Sequence, residues 1–340
     1  MMSGAEHKLP MTVIATTGDR FSAFAPYVAS VNDAGVVAFQ AALHGGITGV
    51  FTGDGGPVSQ AVAPPVIAAV TSHPDVNGSG ALSFYGELAG GRQGVFLIRD
   101  GRLTTLADTR GPFASIGPLG PTMNDDGVVA FRGDRRKGGS GIFLAEGDPI
   151  STVADADGPW SRFHGLPVIN GSGTVVFRAD RKDGVEGVYA ARAGSIRAVV
   201  ETGEAFAEIG HFPTVNDRGT VAFVATRRSG ELGIFTADDD RLTQLDDAGG
   251  SWESHRGALI TGAGEVIRIA TPHGGSLGLF SGPDPTADRI LAIGDSLFGS
   301  IVAEFASNQV SVSGTGHLAI RASLTDGRQL ILRVDPIGGR

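Results

Sequence analysis

The chain has no cysteine, so disulfides, thiolate metal sites and cysteine nucleophiles are excluded. Aromatic residues are scarce, at 7% with two tryptophans and three tyrosines, which argues against a broad protein-docking surface. Basic charge is also short: 27 Lys and Arg face 36 Asp and Glu, for a net charge of -9. A general nucleic-acid binder would show a basic surface instead. No apolar run approaches the roughly 18 residues of a membrane-spanning helix. The start, Met1 to Pro10, lacks the apolar stretch of a secretory leader. A cytoplasmic protein that binds neither membrane nor nucleic acid is expected. Phosphate-loop and EF-hand motifs are missing, and without a helical period nothing supports a G-x-S-x-G nucleophile elbow.

What the chain has in abundance is glycine, 53 residues, and it is placed periodically. The stretch Val31 to Phe39 returns along the length, with Asn32 matched by Asn77, Asn124, Asn170 and Asn216, then by Thr261 and Ser313. The steps are 45, 47, 46, 46, 45 and 52 residues, giving seven units. A second mark follows each first mark by 17 positions: Gly49-Val50-Phe51, Gly94-Val95-Phe96, and so on to Leu330-Ile331-Leu332. Units of 40 to 50 residues with short strands and no 3.6-residue period indicate propeller blades rather than helical solenoids. The expected fold is all-β: a single seven-bladed β-propeller over residues 11–335, with four-stranded blades, after a flexible stretch 1–10.

Asn-x-x-Gly suits the first hairpin turn of each blade, where Asn opens the turn and Gly supplies a positive φ. Fourth strands can be found for only six blades downstream of the third, ending with Arg289 to Ile293. Thr12-Val13-Ile14-Ala15 has the same pattern, so the N-terminal strand is expected to close the ring on the last blade. Closure removes the exposed edges of an open sheet.

The Asn-x-x-Gly-x-x-Ala-Phe core resembles that of the NxxGxxAF tandem-repeat proteins, a bacterial family often carrying a C-terminal surface anchor. Copies one, three and five match in full, copies two and four substitute Ser83 and Val176, and copies six and seven lose the Asn. The resemblance implies propeller-type repeats and brings no catalytic motif with it.

Candidate chemistry lies on the face that carries the loops between second and third strands, here the upper face, since loops carry function more often than the strands holding them. His73, His164, His211 and His255 fall four to six residues before their Asn-equivalents, in what reads as blade-to-blade loops. They are candidate ligands for a divalent metal, and His164, His211 and His255 are candidate acid–base residues. The bland reading makes them surface loop residues. After the motif Phe comes a polar register: Gln40, Tyr85, Arg132, Arg178 and Arg321. Arginine there suits a carboxylate or phosphate. The turns Asp134 to Lys137, Asp180 to Asp183 and Thr226 to Arg228 add an arc of cations, or simply solvated loop tips.

Arg268 replaces the motif Phe in blade six, which indicates either a register shift or a polar site, with Glu304 as a candidate partner. The apolar loop from Asp295 to Phe305 reads as a short helix, a lid or a plug. Two functions follow: an enzyme of lyase, isomerase or hydrolase type acting on a small anionic substrate at the upper central pocket, with Arg132, Arg178, Arg268, Arg321, Tyr85 and Gln40 as binding residues; or a non-catalytic propeller binding a carbohydrate, peptide, metabolite or protein.

Overall fold

The computed structural model describes residues 9–147, 149–239, 241–245 and 250–336. Within them seven antiparallel sheets follow one another around an axis as a seven-bladed β-propeller. The expected flexible stretch lies outside the described residues as far as Lys8. Blade 4 shows the pattern: Trp160–Ile169, Val175–Arg181, Glu186–Arg192 and Ser195–Glu201 pair in that order from the axis outward. Met11–Thr16 pairs antiparallel with Gln329–Val334 as the outer strand of blade 7, so the ring closes as the repeat count requires.

Aromatic rings fill the space within and between blades. Phe39 lies opposite Phe51 with ring centroids 6.0 Å apart, and Phe21 meets Phe51 edge-on at 5.0 Å. Trp160 does the same to Tyr189 at 4.5 Å. Fully burying such a side chain stabilises the fold by about 1.5–3 kcal/mol. Arg268 keeps this register, since it faces Phe280 as Phe39 faces Phe51. The register shift is therefore excluded. The guanidinium is buried, donates to the Leu245 carbonyl at 3.2 Å and lies 6.0 Å over the Trp252 ring. Glu304 is bound to Arg321 at 2.9 Å rather than serving Arg268.

The inner strands are longer than the sequence suggested. His164 lies within Trp160–Ile169 and His255 within Trp252–Ile260, not in loops. Bulges between Trp160 and Arg162 and between His164 and Val168 break the side-chain alternation that would have marked a strand. The stretch 295–305 is no helix. Ser296–Leu297 and Ser300–Ala306 form a hairpin at the inner edge of blade 7, burying Leu297, Val302 and Phe305.

At the lower face four of the five repeat Asn residues, Asn32, Asn77, Asn170 and Asn216, act in two directions. Asn32 Oδ1 accepts from Ala34 N and Val36 N, closing its own turn, while Nδ2 donates 2.8 Å to the Asn77 carbonyl of the next blade. Asn170 and Asn216 repeat the staple at 2.8 and 3.1 Å. Thr261 and Ser313 close their turns through hydroxyls but have no amide to donate. Between blades 6 and 7 the backbones bond directly instead, Gly262 N to Gly314 O at 2.9 Å.

Candidate active site at the upper mouth

The second strand of blade 4 carries Arg178 and Asp180 on one side, two residues apart as strand geometry requires. Across the first pairing, His164 stands opposite Arg178; across the second, Asp180 stands opposite Glu186. These four side chains connect. His164 Nε2 is 2.8 Å from Asp180 Oδ2, Arg178 Nη1 bonds the other Asp180 oxygen, and Arg178 Nη2 reaches Glu186 Oε2 at 2.6 Å. From blade 5, His211 lays its ring against His164, with centroids 4.9 Å apart and planes 30° from parallel.

Electrostatics leave both rings neutral near pH 7. Burial, then the positive charges of Arg178, Arg162 and Arg132, push the His164 imidazole down from the ordinary 6.5 to about 4. The negative charge of Glu186 opposes them as the smallest of these effects. Burial and Arg178 push His211 down as well. A neutral His164 donates Nε2–H to Asp180, which leaves Nδ1 as the unprotonated nitrogen.

The other expected site residues lie elsewhere. His73 is fully buried, its Nε2 3.2 Å from the Pro121 carbonyl, and burial holds it near 4. His255 is buried with its ring 5.8 Å from Trp252. Among the described residues no three His, Asp or Glu side chains come together to hold a metal ion. Among the described residues the four-histidine metal centre is thus not formed: His73, between the short segments Ala69–Val70 and Asp75–Val76, and His255, at a bulge of Trp252–Ile260, are both buried. Only His164 and His211 meet.

Most of the polar register braces blades. Gln40 donates 2.9 Å to Val70 O in blade 2, Tyr85 OH accepts from Arg132 N in blade 3 at 3.1 Å, and Arg132 donates 2.9 Å to Gly165 O in blade 4. Arg321 pairs with Glu304. The expected arc of cations folds outward: Arg135 covers the Phe143 ring at 4.8 Å, Lys182 bonds Ala156 O at 2.8 Å and Arg228 bonds Gly203 O at 2.6 Å. Arg135 thus covers its own blade, Lys182 and Arg228 hold the connection entering theirs, and these three form no anion arc.

Sequence reasoning missed Asp180 and Glu186 as partners of His164 and Arg178. The Arg-x-Asp spacing on a strand was the available signal. It expected a central pocket at the upper face and missed the second cavity of the central channel, at the lower face. The lower one, about 160 Å³, is ringed by the repeat Asn residues. The upper one, about 340 Å³, is walled by Leu166 and Phe212, close in sequence to His164 and His211.

Residues 50–329 match the model of a family of unknown function, DUF7453. No curated protein matches the chain by sequence. Among solved structures, a puromycin-hydrolysing peptidase of Mycobacterium tuberculosis is similar at 15% identity and a TM-score of 0.60, over 98% of this chain and 56% of that one. A prolyl endopeptidase aligns at 14% identity and 0.55, over 92% of this chain and 51% of that one. The chain therefore spans about half the length of these two peptidases. An oligogalacturonate lyase in complex with manganese aligns at 12% identity and 0.61, over 98% of this chain and 99% of that one. At such identities the likeness is one of fold. No helix among the described residues is long and apolar enough to cross a membrane.

Proposed function

The chain belongs to the DUF7453 family, whose function is unknown, and we propose that it is a propeller enzyme transferring protons on a small anionic substrate at the upper mouth. The reaction would be of lyase or isomerase type, and a cytoplasmic site of action is part of this reading. The observation that carries it is the pair of facing imidazoles, 4.9 Å apart, one of them tethered to Asp180. Nδ1 of His164 is placed to take a proton from the substrate and, as the imidazolium so formed, to return it, with the His211 ring packed alongside, as acid–base chemistry needs a positioned group. The field of Arg132, Arg162 and Arg178, which weakens His164 as a base, favours an arriving carboxylate. That carboxylate offsets the field and raises the imidazole's proton affinity, so the substrate strengthens its own base.

The test follows both histidine side chains by NMR across pH, with and without D-galacturonate, a carboxylate suggested by the lyase of the same fold. Both titrations should move to higher pH on binding. Turnover of an oligogalacturonate, or of another hydroxy acid that shifts the titrations, should fall about 100-fold in His164→Ala. Unmoved titrations with every carboxylate tried, or full turnover in His164→Ala, would sink this reading.

A further inference from the structure

The upper cavity has chemistry of its own. Its wall is apolar, made by Leu119, Leu166, Phe212, Leu259, Ile269 and Phe305. Leu119 and Phe212 are each 40% exposed, so the apolar surface faces the opening rather than the core. Of its polar residues Ser307 and Asn308 are engaged, by Ala319 O and Val310 N, which leaves two others. Arg256 lies on the wall, and unlike Arg132, Arg178 and Arg321 it makes no hydrogen bond or ion pair among the described residues. Gln309, in the short helical turn Gln309–Ser311 of blade 7, is common to the walls of the upper and lower cavities and so divides the channel. It is only 7% exposed, and its Oε1 is buried with no hydrogen-bond partner.

An unpartnered buried acceptor costs about 1–3 kcal/mol, and a ligand that supplies a donor removes that cost. A free guanidinium at the rim of an apolar wall recognises a carboxylate. The volume, about 340 Å³, lies at the small end of ligand pockets.

We infer that this cavity binds a small monocarboxylate with an apolar body and a hydroxyl or amine at its far end: the carboxylate on Arg256, the body against Leu166, Phe212 and Phe305, the donor on Gln309 Oε1. This deepens the reading of the upper mouth as a substrate site and rests on it for catalysis, though not for binding. It accounts for a feature the acid–base cluster leaves aside, because a ligand seated here lies beside Leu166 and Phe212, next to His164 on its strand and His211 in its loop.

The probes are 4-hydroxyphenylacetate, which has all three features, phenylacetate, which lacks the donor, and 4-hydroxyphenylacetamide, which lacks the charge. By titration calorimetry 4-hydroxyphenylacetate should bind tightest, with either analogue weaker by about tenfold, the factor that one lost charge-assisted or buried hydrogen bond produces. Arg256→Gln should abolish the preference for carboxylate over amide. Gln309→Leu should abolish the preference for the hydroxyl and leave phenylacetate bound at least as well as in the wild type. Both variants are compared at unchanged melting temperature. Equal binding of the three probes to wild type, or preferences that survive the two substitutions, overturns the inference.

His164→Ala separates the two proposals. Selective binding that persists in that variant without turnover in any form keeps the pocket and removes the catalysis. Histidine titrations that respond to carboxylates in both wild type and Arg256→Gln keep the acid–base site and remove the pocket.

Discussion

Asp75 stands on the inner strand of blade 2, two residues before Asn77, where other blades place Ser30, Thr122, Thr214 and Ser311. Ser311 Oγ donates to Ala29 O at 2.7 Å, Thr122 Oγ1 to Pro167 O at 3.0 Å and Thr214 Oγ1 to Ala258 O at 3.0 Å, each reaching the next blade. Asp75 does the same as an acceptor, from Met123 N at 2.7 Å. A buried carboxyl in that role is driven up, mainly by burial, from 3.8 to about 7, with backbone bonds from Met123 and Val76 opposing and the Asp125 charge adding. Between those values the folded protein keeps a proton that the unfolded chain releases, so this group's contribution to stability declines as pH rises. His73 works in the other sense. Held near 4 against 6.5 when exposed, it leaves the folded state short of a proton between those values, so its contribution declines as pH falls. The two oppose one another from about pH 4 to 6.5. Asp75→Asn keeps an acceptor for Met123 N and removes one side of the balance. The variant should gain roughly 1–3 kcal/mol over wild type at pH 8, where the buried carboxylate would be charged. It should show no gain at pH 4, and a steeper acid loss in between. Urea denaturation at three pH values measures this, and a pH-independent difference would refute the assignment.

The turns between first and second strands show how one element constrains its neighbour. After the repeat Asn, or its Thr or Ser equivalent, the residues around the ring are Asp33, Gly78, Asp125, Gly171, Asp217, Gly262 and Gly314. Aspartate and glycine alternate until the odd number of blades forces two glycines together. The alternation has a steric cause: Gly78 N donates 2.7 Å to Asp125 Oδ1, and a Cβ on Gly78 would sit 2.9 Å from that same oxygen. Gly171 and Asp217 repeat it, with a bond of 2.6 Å and a Cβ clearance of 3.0 Å. Gly78→Ala should therefore destabilise by about 1–3 kcal/mol through overpacking and loss of that bond. In the double variant with Asp125→Ala the two costs should add to less than their sum by about 1 kcal/mol. Strict additivity in denaturant melts would show that the turns do not touch in solution. Elements of this kind were legible in the sequence because they impose backbone requirements on single residues. Gly35 must hold φ +77, and such a demand returns in every unit. The site was not legible in the same way. His164, Arg178, Asp180 and Glu186 come from three strands, and the bulges between His164 and Val168 displace the pairing that spacing alone would assign. Gln309 was invisible for a simpler cause: it lies in the longest interval of the repeat, where no other blade supplies a template.

At the scale of the whole ring, closure depends on a strand more than 300 residues distant in sequence from its partner. Met11 faces Val334 and Asp335 N donates to Pro10 O at 3.1 Å, so the two segments meet as the third and fourth strands of a blade joined by a hairpin would. Blades 2 and 4 make that turn with two residues, Asp100-Gly101 and Ala193-Gly194, all at positive φ, the conformation that suits a right-twisted hairpin. The fold should therefore tolerate a permuted chain in which Val334 runs through Asn-Gly into Met11, with new ends between Gly18 and Asp19. In that chain blade 7 is continuous, and the new ends sit in an exposed connection of the kind that accepts breaks. The permutant should keep the wild-type circular dichroism and melt within about 5 °C of it. A truncation beginning at Thr17 loses the outer strand with buried Ile14 and Ala15 and exposes the edge of Gln329–Val334. It should lose about 3 kcal/mol from the buried side chains alone and associate through that open edge. If the truncation melted like wild type while the permutant failed to fold, closure would rest on contacts between blades rather than on this strand. The staples of Asn32, Asn170 and Asn216 would then be the place to look for it.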